Sequence, residues 1–270
     1  MKLFGKTNTP REATFWDHLE VLRWSILRVL AFVAVLVFVF FSFRDFLFDD
    51  IIFPPLKPDF VIYRFFCQLG EWLHIPDLCP GDFKIHLVNY NLSGQFMAHI
   101  STAFTVALTL SVPYLLFEIW KFISPALYPN EKRNMGWVFI TSSVLFYLGV
   151  VVSYYLVFPL TIRFLGTYEV SELVPNQISL ESYLNTLNIL IFSLGIMFEL
   201  PVLIYFLSRM GLVSRQMLRK FRKHAVVVIL ILAAIITPTT DPFTMLVVAL
   251  PIYLLYELSI MVSKPRKETV

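Results

Sequence analysis

Residues 134–162 form a stretch of 29 residues without a charged side chain. A helix needs about 20 mostly apolar residues to cross the hydrocarbon core of a bilayer. Further stretches that meet this requirement, with no more than two interruptions each, are residues 24–43, 96–117, 182–208 and 243–262. Each of these stretches predicts a membrane-spanning helix.

The composition agrees with lipid as the main solvent of the chain. Hydrophobic residues make up 57% of the sequence and charged residues 15%, against about 45–50% and about 25% in soluble domains. A soluble fold of 270 residues cannot remove so much apolar surface from water, because a large part of any fold stays at the surface. The same figures exclude a disordered chain and a disulfide-rich scaffold.

A sixth span is predicted from the distribution of basic residues. Residues 225–236 give only 12 uninterrupted apolar residues, about 18 Å of helix, a length that is also typical of re-entrant or interfacial segments. With six spans, 16 lysines and arginines lie on the side of both termini and five on the other side. Cytoplasmic connections are enriched in these residues, so six spans with both termini cytoplasmic are favoured.

The predicted organisation is an all-α membrane protein in three parts. A cytoplasmic amphipathic segment (1–23) precedes a six-helix transmembrane domain (24–262), which a cytoplasmic tail (263–270) follows. The spans are predicted at about residues 24–43, 96–118, 134–160, 183–208, 224–237 and 243–262. The first span is not a cleaved signal peptide, because it is too long and lacks a small-residue cleavage site.

The longest connection, residues 44–95, lies on the external side in this arrangement. Its prolines resist a long regular element, although the amphipathic piece Val61–Leu73 is suited to the membrane interface. Cys67 and Cys79, the two cysteines of the chain, both lie here. A disulfide between them is favoured over two free thiols, because an even count on the oxidising side is typical of a bridge.

No catalytic or cofactor-binding motif is present in the sequence. The HExxH, GxSxG, Walker and GxGxxG patterns are absent. The five histidines are scattered and lack the spacing of metal ligands. We therefore expect neither an enzyme activity nor a bound cofactor or metal.

Two acids occupy unusual positions. Glu199 lies inside the fourth span, two residues before Pro201, and a carboxylate in the membrane is costly and usually functional. The alternative is a protonated glutamate that hydrogen-bonds a neighbouring helix near a kink at Pro201. Glu131 is the single acid of the basic cytoplasmic connection 120–133, which suits capture of a cationic ligand; its neighbours Lys132 and Arg133 fit a solvated loop.

Two further polar features have simpler interpretations. Residues 15–23 form an amphipathic segment that is suited to anchoring at the inner membrane surface. Asp241, which prolines flank in the last external turn, is either a helix cap or a functional residue.

In order and spacing these features resemble the TatC family, the polytopic core subunits of the twin-arginine protein translocase. The resemblance extends from about residue 15 to residue 257. The residues that carry it are His18-Leu19-Glu20-Val21-Leu22-Arg23, Trp120, Phe122, Pro125, Leu127, Glu131, Arg133, Phe146, Tyr147, Gly149, Phe158, Pro159, Phe198, Glu199, Pro201, Thr237, Pro238 and Asp241.

The resemblance implies a non-enzymatic receptor in the bacterial inner membrane that binds the twin-arginine signal peptides of folded proteins. It implies partners of the TatA and TatB type, more than one copy of the chain in the complex, and transport driven by the proton-motive force without nucleic acid or nucleotide. The implied fold is a concave bundle of six helices in which the fifth and sixth are short.

The resemblance also implies roles for individual residues. Glu131 accepts the arginines of the signal peptide, and the recognition surface includes Phe122, Pro125 and Arg23. Within the membrane, Glu199 and Tyr147 contact a partner or the signal peptide. Asp241 belongs to a functional external turn.

One position departs from the family pattern. The family's second glutamate falls at Val21, and Glu20 lies one residue earlier, about 100° around a helix. Asp17 precedes Val21 by four residues and therefore shares its face. We predict that Asp17, or Glu20 after a small helix rotation, replaces the missing acceptor.

Two other functions compete with this one. A proton-coupled small-solute transporter centred on Glu199 would be expected to contain an internal repeat, and none is evident. The second alternative is a membrane assembly scaffold without translocation activity.

Overall fold

The computed structural model describes residues 15–74, 79, 85–123, 135–168, 171, 176–237 and 241–264, and of residues 15–18, 123 and 135 it describes the backbone alone. The α-helices in chain order are α1 (Phe15–Ser42), α2 (Val61–Leu73), α3 (Gly94–Ile123), α4 (Met135–Val152), α5 (Phe158–Thr167), α6 (Leu180–Met197), α7 (Leu200–Arg209), α8 (Arg215–Lys220), α9 (Arg222–Ile236) and α10 (Pro242–Val262). Shorter elements are the π-helical turns Phe46–Ile52 and Ser153–Val157, the 3₁₀ turn Pro54–Leu56, and the strands β1 (Leu87–Val88) and β2 (Ile178–Ser179).

The helices confirm an all-α membrane fold. In the described part of the chain, the helical stretches long and apolar enough to cross a membrane are Leu19–Ser42, Gly94–Phe122, Gly136–Thr167, Leu180–Arg209 and Pro242–Val262. They correspond to the five strongest predicted spans. Helix α9 has 15 residues, so its length alone does not establish the predicted sixth span.

Two of the spans are interrupted next to a proline. In the third span, α4 passes through the π-helical turn Ser153–Val157 into α5, whose second residue is Pro159. In the fourth span, α6 ends at Met197 and α7 begins at Leu200, one residue before Pro201. Proline lacks a backbone N–H to donate, so the regular helix ladder is broken at both places.

The connection between the first two spans is more regular than its prolines suggest. It contains α2, a helix of 13 residues with the bounds of the amphipathic piece, and a disulfide joins Cys67 to Cys79. The buried Tyr63 hydroxyl donates to Pro159 O at 3.0 Å, and burial raises the pKa of Tyr63. Tyr183 donates to Ile52 O at 2.6 Å. Tyrosine hydroxyls thus satisfy backbone carbonyls and fasten the connection to the third and fourth spans.

A short parallel strand pair joins the connection that precedes α3 to the connection that precedes α6. Leu87 pairs with Ile178 and Val88 with Ser179. Beside the strands, Asn91 donates to Glu181 at 3.0 Å. This strand pair is not predicted from the sequence, because two-residue strands leave no periodic pattern.

The core is centred on α6. Leu187, Leu190 and Leu194 of this helix are completely buried. Where α4 crosses α6, a Cβ added at Gly149 would lie 2.8 Å from the backbone oxygen of Leu194. Small residues allow such close approach of helices in membranes.

The carboxyl end of α10 lies beside the connection between α7 and α8. Arg215 donates its backbone N–H to Lys264 O at 3.0 Å and its Nη2 to Met261 O at 2.5 Å. Lys264 in turn donates to Ser208 Oγ at 2.8 Å. The chain segments that precede α9 and follow α10 therefore meet at one end of the molecule.

Candidate functional site

An ion pair joins α1 to α3 close to the predicted recognition residues. Arg28 Nε and Nη2 donate to Glu118 Oε1 and Oε2 at 2.9 and 2.8 Å. Arg28 Nη2 also donates to Ser25 Oγ at 3.0 Å, and the Tyr114 hydroxyl donates to Glu118 Oε1 at 3.3 Å. The two parallel hydrogen bonds are the strongest arrangement of a guanidinium and a carboxylate.

The two charges differ in their access to the surroundings. The side chain of Glu118 is 5% exposed and that of Arg28 is 42% exposed. A charge inside a membrane span is costly unless it is paired and hydrogen-bonded. Both oxygens of Glu118 have donors, so the pair can exist within the transmembrane domain.

Glu118 is not among the site residues that the sequence predicts. Arg28 is an interruption of the first predicted span, and the second span is predicted to end at Glu118, with no partner assigned to either residue. The signal was present, because a lone arginine within a span calls for an acid at a similar depth on another helix.

The ion pair adjoins residues that are predicted to take part in recognition. Leu22, Ser25, Glu118 and Phe122 line one groove of about 370 Å³ between α1 and α3. Glu20 and Arg23 are exposed on α1. Val21, at the position of the family's glutamate, is 47% exposed. The structure thus brings Phe122 close to α1.

Other predicted recognition residues lie beyond what the structure describes. Pro125 and Glu131 fall outside the described residues, and of Asp17 only the backbone in α1 is described. Their roles, and the choice between Asp17 and Glu20 as the replacement acceptor, stay predictions.

Glu199 lies at the break between α6 and α7. Its Oε2 accepts a short hydrogen bond from the Ser142 hydroxyl on α4. Its other oxygen, Oε1, is buried and has no hydrogen-bond partner among the described residues. The alternative interpretation of Glu199 specified a hydrogen bond to a neighbouring helix near Pro201, and the structure contains that bond.

The remaining predicted residues have structural contacts of their own. The Tyr147 hydroxyl donates to Leu110 O on α3 at 3.3 Å, so Tyr147 links α4 to α3. Asp241 Oδ1 accepts from the Thr244 backbone N–H at 2.7 Å and caps α10. These contacts agree with the structural interpretation of Asp241 and leave a functional role of either residue as a prediction.

Comparisons with known proteins identify one family. The model of the family "Sec-independent protein translocase protein (TatC)" matches residues 17–251. The chain is 35% identical to the Sec-independent protein translocase protein TatC of Blattabacterium sp. subsp. Periplaneta americana over 258 residues, which cover 95% of this chain and 97% of the relative. It is 35% identical to the TatC protein of Deinococcus radiodurans over 256 residues, covering 93% and 86%.

The fold is similar to solved structures of the same family. A crystal structure of the twin arginine translocase receptor TatC in the detergent DDM matches with a TM-score of 0.72 and 27% identity, covering 92% of this chain and 99% of that one. A second crystal structure of this receptor matches with a TM-score of 0.67 and 26% identity, covering 91% and 97%. From the family match and these similarities, the chain belongs to the TatC family of Sec-independent protein translocase proteins.

Proposed function

We propose that this protein is the receptor subunit of a twin-arginine translocase. It binds the twin-arginine signal peptides of folded proteins and, with single-span subunits of the TatA and TatB type, transports these proteins across the bacterial inner membrane. The proton-motive force drives the transport. The observation that carries the proposal is the family match over residues 17–251, which includes every motif named above.

The proposed recognition surface comprises residues near the start of α1 and near the end of α3. Glu20 and Arg23 are exposed on α1, and Phe122 near the end of α3 lines the same groove as Leu22. Glu131 follows in the next connection. Arginine recognition requires carboxylates that can accept its fork of donors, and this surface supplies acids from two chain segments.

The proposed topology has six spans with both termini in the cytoplasm. The contacts of Arg215 with Met261 and Lys264 support it, because α10 is long enough to cross the membrane and returns to the side from which α9 begins. Helix α9 must then lead the chain to the opposite side. The basic residues of α8 and of the carboxyl tail lie on one side in this arrangement.

Transport of a twin-arginine reporter protein in a strain that lacks its own TatC tests the proposal. The unaltered chain is expected to restore transport. Glu131→Ala is expected to lower signal-peptide binding about tenfold or more, since hydrogen bonds to charged groups contribute about 1.5–3 kcal/mol. Lys132→Ala, in the same connection, is the matched control and is expected to bind normally.

Two outcomes would contradict the proposal. One is the absence of reporter transport although the unaltered chain accumulates in the membrane, provided that a TatA and TatB pair from a close relative is also supplied. The other is normal signal-peptide binding by Glu131→Ala. A solute transporter centred on Glu199 is not proposed, because the relatives and solved structures described above are translocase proteins.

A further inference from the structure

Helix α1 depends on α3 for its place in the molecule. Its ring contacts are with α3, where Phe41 stacks on His99 at 4.2 Å and Phe32 meets Tyr114 at 5.0 Å. Most of its large apolar side chains are exposed, including Val35 and Phe38. The main helix contact of α1 is therefore one face against α3.

Apolar contacts alone would hold α1 only weakly in a fixed position on α3. Lipid tails are as apolar as the side chains that they replace, so a lipid-exposed helix can slide or rotate at little cost unless polar groups hold it. Between α1 and α3 the charged link in the described residues is Arg28 with Glu118. Because both carboxylate oxygens are engaged, a shift of α1 by one residue would break the pair.

The ion pair lies a short distance from the predicted recognition residues on both helices. Arg23 precedes Arg28 by five residues, about 7.5 Å along α1, and Phe122 follows Glu118 by four residues, about 6 Å along α3. A rotation of α1 about its axis would therefore change how Glu20 and Arg23 are oriented relative to Phe122 at the end of α3.

We propose that Arg28 and Glu118 are positioning residues for signal-peptide recognition. Their ion pair fixes the register and rotation of α1 on α3, and so sets the orientation of the acids near the start of α1 relative to the end of α3. This inference rests on the proposed receptor function. It is chemically specific, because a hydroxyl or amide at either position could not make the same pair of charged hydrogen bonds.

The test compares Arg28→Gln, Glu118→Gln and the exchanged variant R28E/E118R in the full chain in membranes. Helix register is measured by oxidative crosslinking of cysteines placed at Leu22 and Ile119, which line the shared groove. Signal-peptide contact is measured with photoreactive groups placed at Leu19 on α1 or at Asn130 in the connection. Arg44→Gln is the matched control, because it removes an exposed arginine that pairs with Asp45 beyond the other end of α1.

Each single variant is expected to lower the 22–119 crosslink and the peptide crosslink at Leu19 by about tenfold, since loss of either partner leaves an unpaired charge within the transmembrane domain. The crosslink at Asn130 is expected to persist, because the connection keeps Glu131. The exchanged variant is expected to recover both lost crosslinks at least partly, and Arg44→Gln is expected to keep all three.

Unchanged crosslinks at Leu19 in both single variants would overturn the proposal. So would equal loss at Leu19 and Asn130 without recovery in the exchanged variant, since that pattern indicates general misfolding. If the unaltered chain crosslinks no twin-arginine peptide, the receptor function is wrong. The 22–119 crosslink would then still decide whether the ion pair sets the helix register.

Discussion

Two glutamates of the membrane helices pair with arginines of neighbouring helices. Glu118 pairs with Arg28, and Glu257 accepts from Arg222 at 2.6 Å. Glu199 differs, because its partner is the uncharged hydroxyl of Ser142. One oxygen of Glu199 accepts from this hydroxyl, and the other oxygen has no partner in the described structure. Glu199 is therefore suited to accept a hydrogen bond from a further donor.

Removal of the Ser142 hydroxyl is therefore expected to lower stability. Ser142→Ala leaves Glu199 without this donor, at a cost of about 1 kcal/mol. The measurement is the thermal unfolding midpoint of the detergent-solubilised protein. Ser143→Ala is the matched control, since the Ser143 hydroxyl has no hydrogen-bond partner among the described residues. Equal midpoints for the two variants would show that the bond to Glu199 contributes nothing measurable.

Glu199 and the pair of Arg28 and Glu118 differ in how far they could be predicted from the sequence. Glu199 was recognisable from its place within a span and from Pro201 beside it. Arg28 and Glu118 are 90 residues apart, and sequence alone gives the approximate depth of a charge but not which helices are neighbours. An acidic partner for Arg28 could be expected from the sequence, but which acid it is follows only from the packing of α1 on α3.

Among the helices, the crossing of α4 and α6 depends on the absence of side chains. Gly149 approaches the backbone of Leu194, and Gly195 approaches the ring of Phe146, where an added Cβ would lie 2.7 Å from the nearest ring atom. A ring can turn, but a backbone oxygen cannot move without its helix. Gly149 is thus the stricter of the two positions.

Gly149→Ala is expected to destabilise the protein by about 1–3 kcal/mol, the usual cost of an overpacked core. Gly136→Ala on the same helix is the control, because a Cβ there meets nothing within 4 Å and alanine favours the helix. The unfolding midpoints of both variants are compared with that of the unaltered protein. A midpoint of Gly149→Ala at or above that of Gly136→Ala would contradict the close crossing.

Spans and breaks differ in how far they could be predicted. Long apolar stretches gave the five main helices, and Pro201 indicated the break in the fourth span. The helix of the third span continues to Thr167, past the predicted end near residue 160, and Pro159 stands at the second position of α5. Proline fits the first turn of a helix and therefore does not mark the end of the span.

The topology of the whole molecule depends on whether the short helix α9 crosses the membrane. Its 15 residues extend about 22 Å, less than the hydrocarbon core of about 30 Å. The difference can be met by local thinning of the bilayer or by basic side chains that reach the interface from the helix end. Arg222 and Lys223 are the first two residues of α9. A crossing by α9 is thus physically feasible.

Reporter insertions distinguish six spans from five. Alkaline phosphatase is active only outside the cytoplasm, where its disulfides form. Placed within the full chain after residue 213, after residue 239 or at residue 264, it is expected to be inactive, active and inactive. These results follow if α9 crosses outward and α10 returns to the side of α8, an arrangement that the contact of Arg215 with Met261 supports. An inactive enzyme after residue 239 together with an active one at residue 264 would mean that α9 does not cross, and the carboxyl tail would then be external.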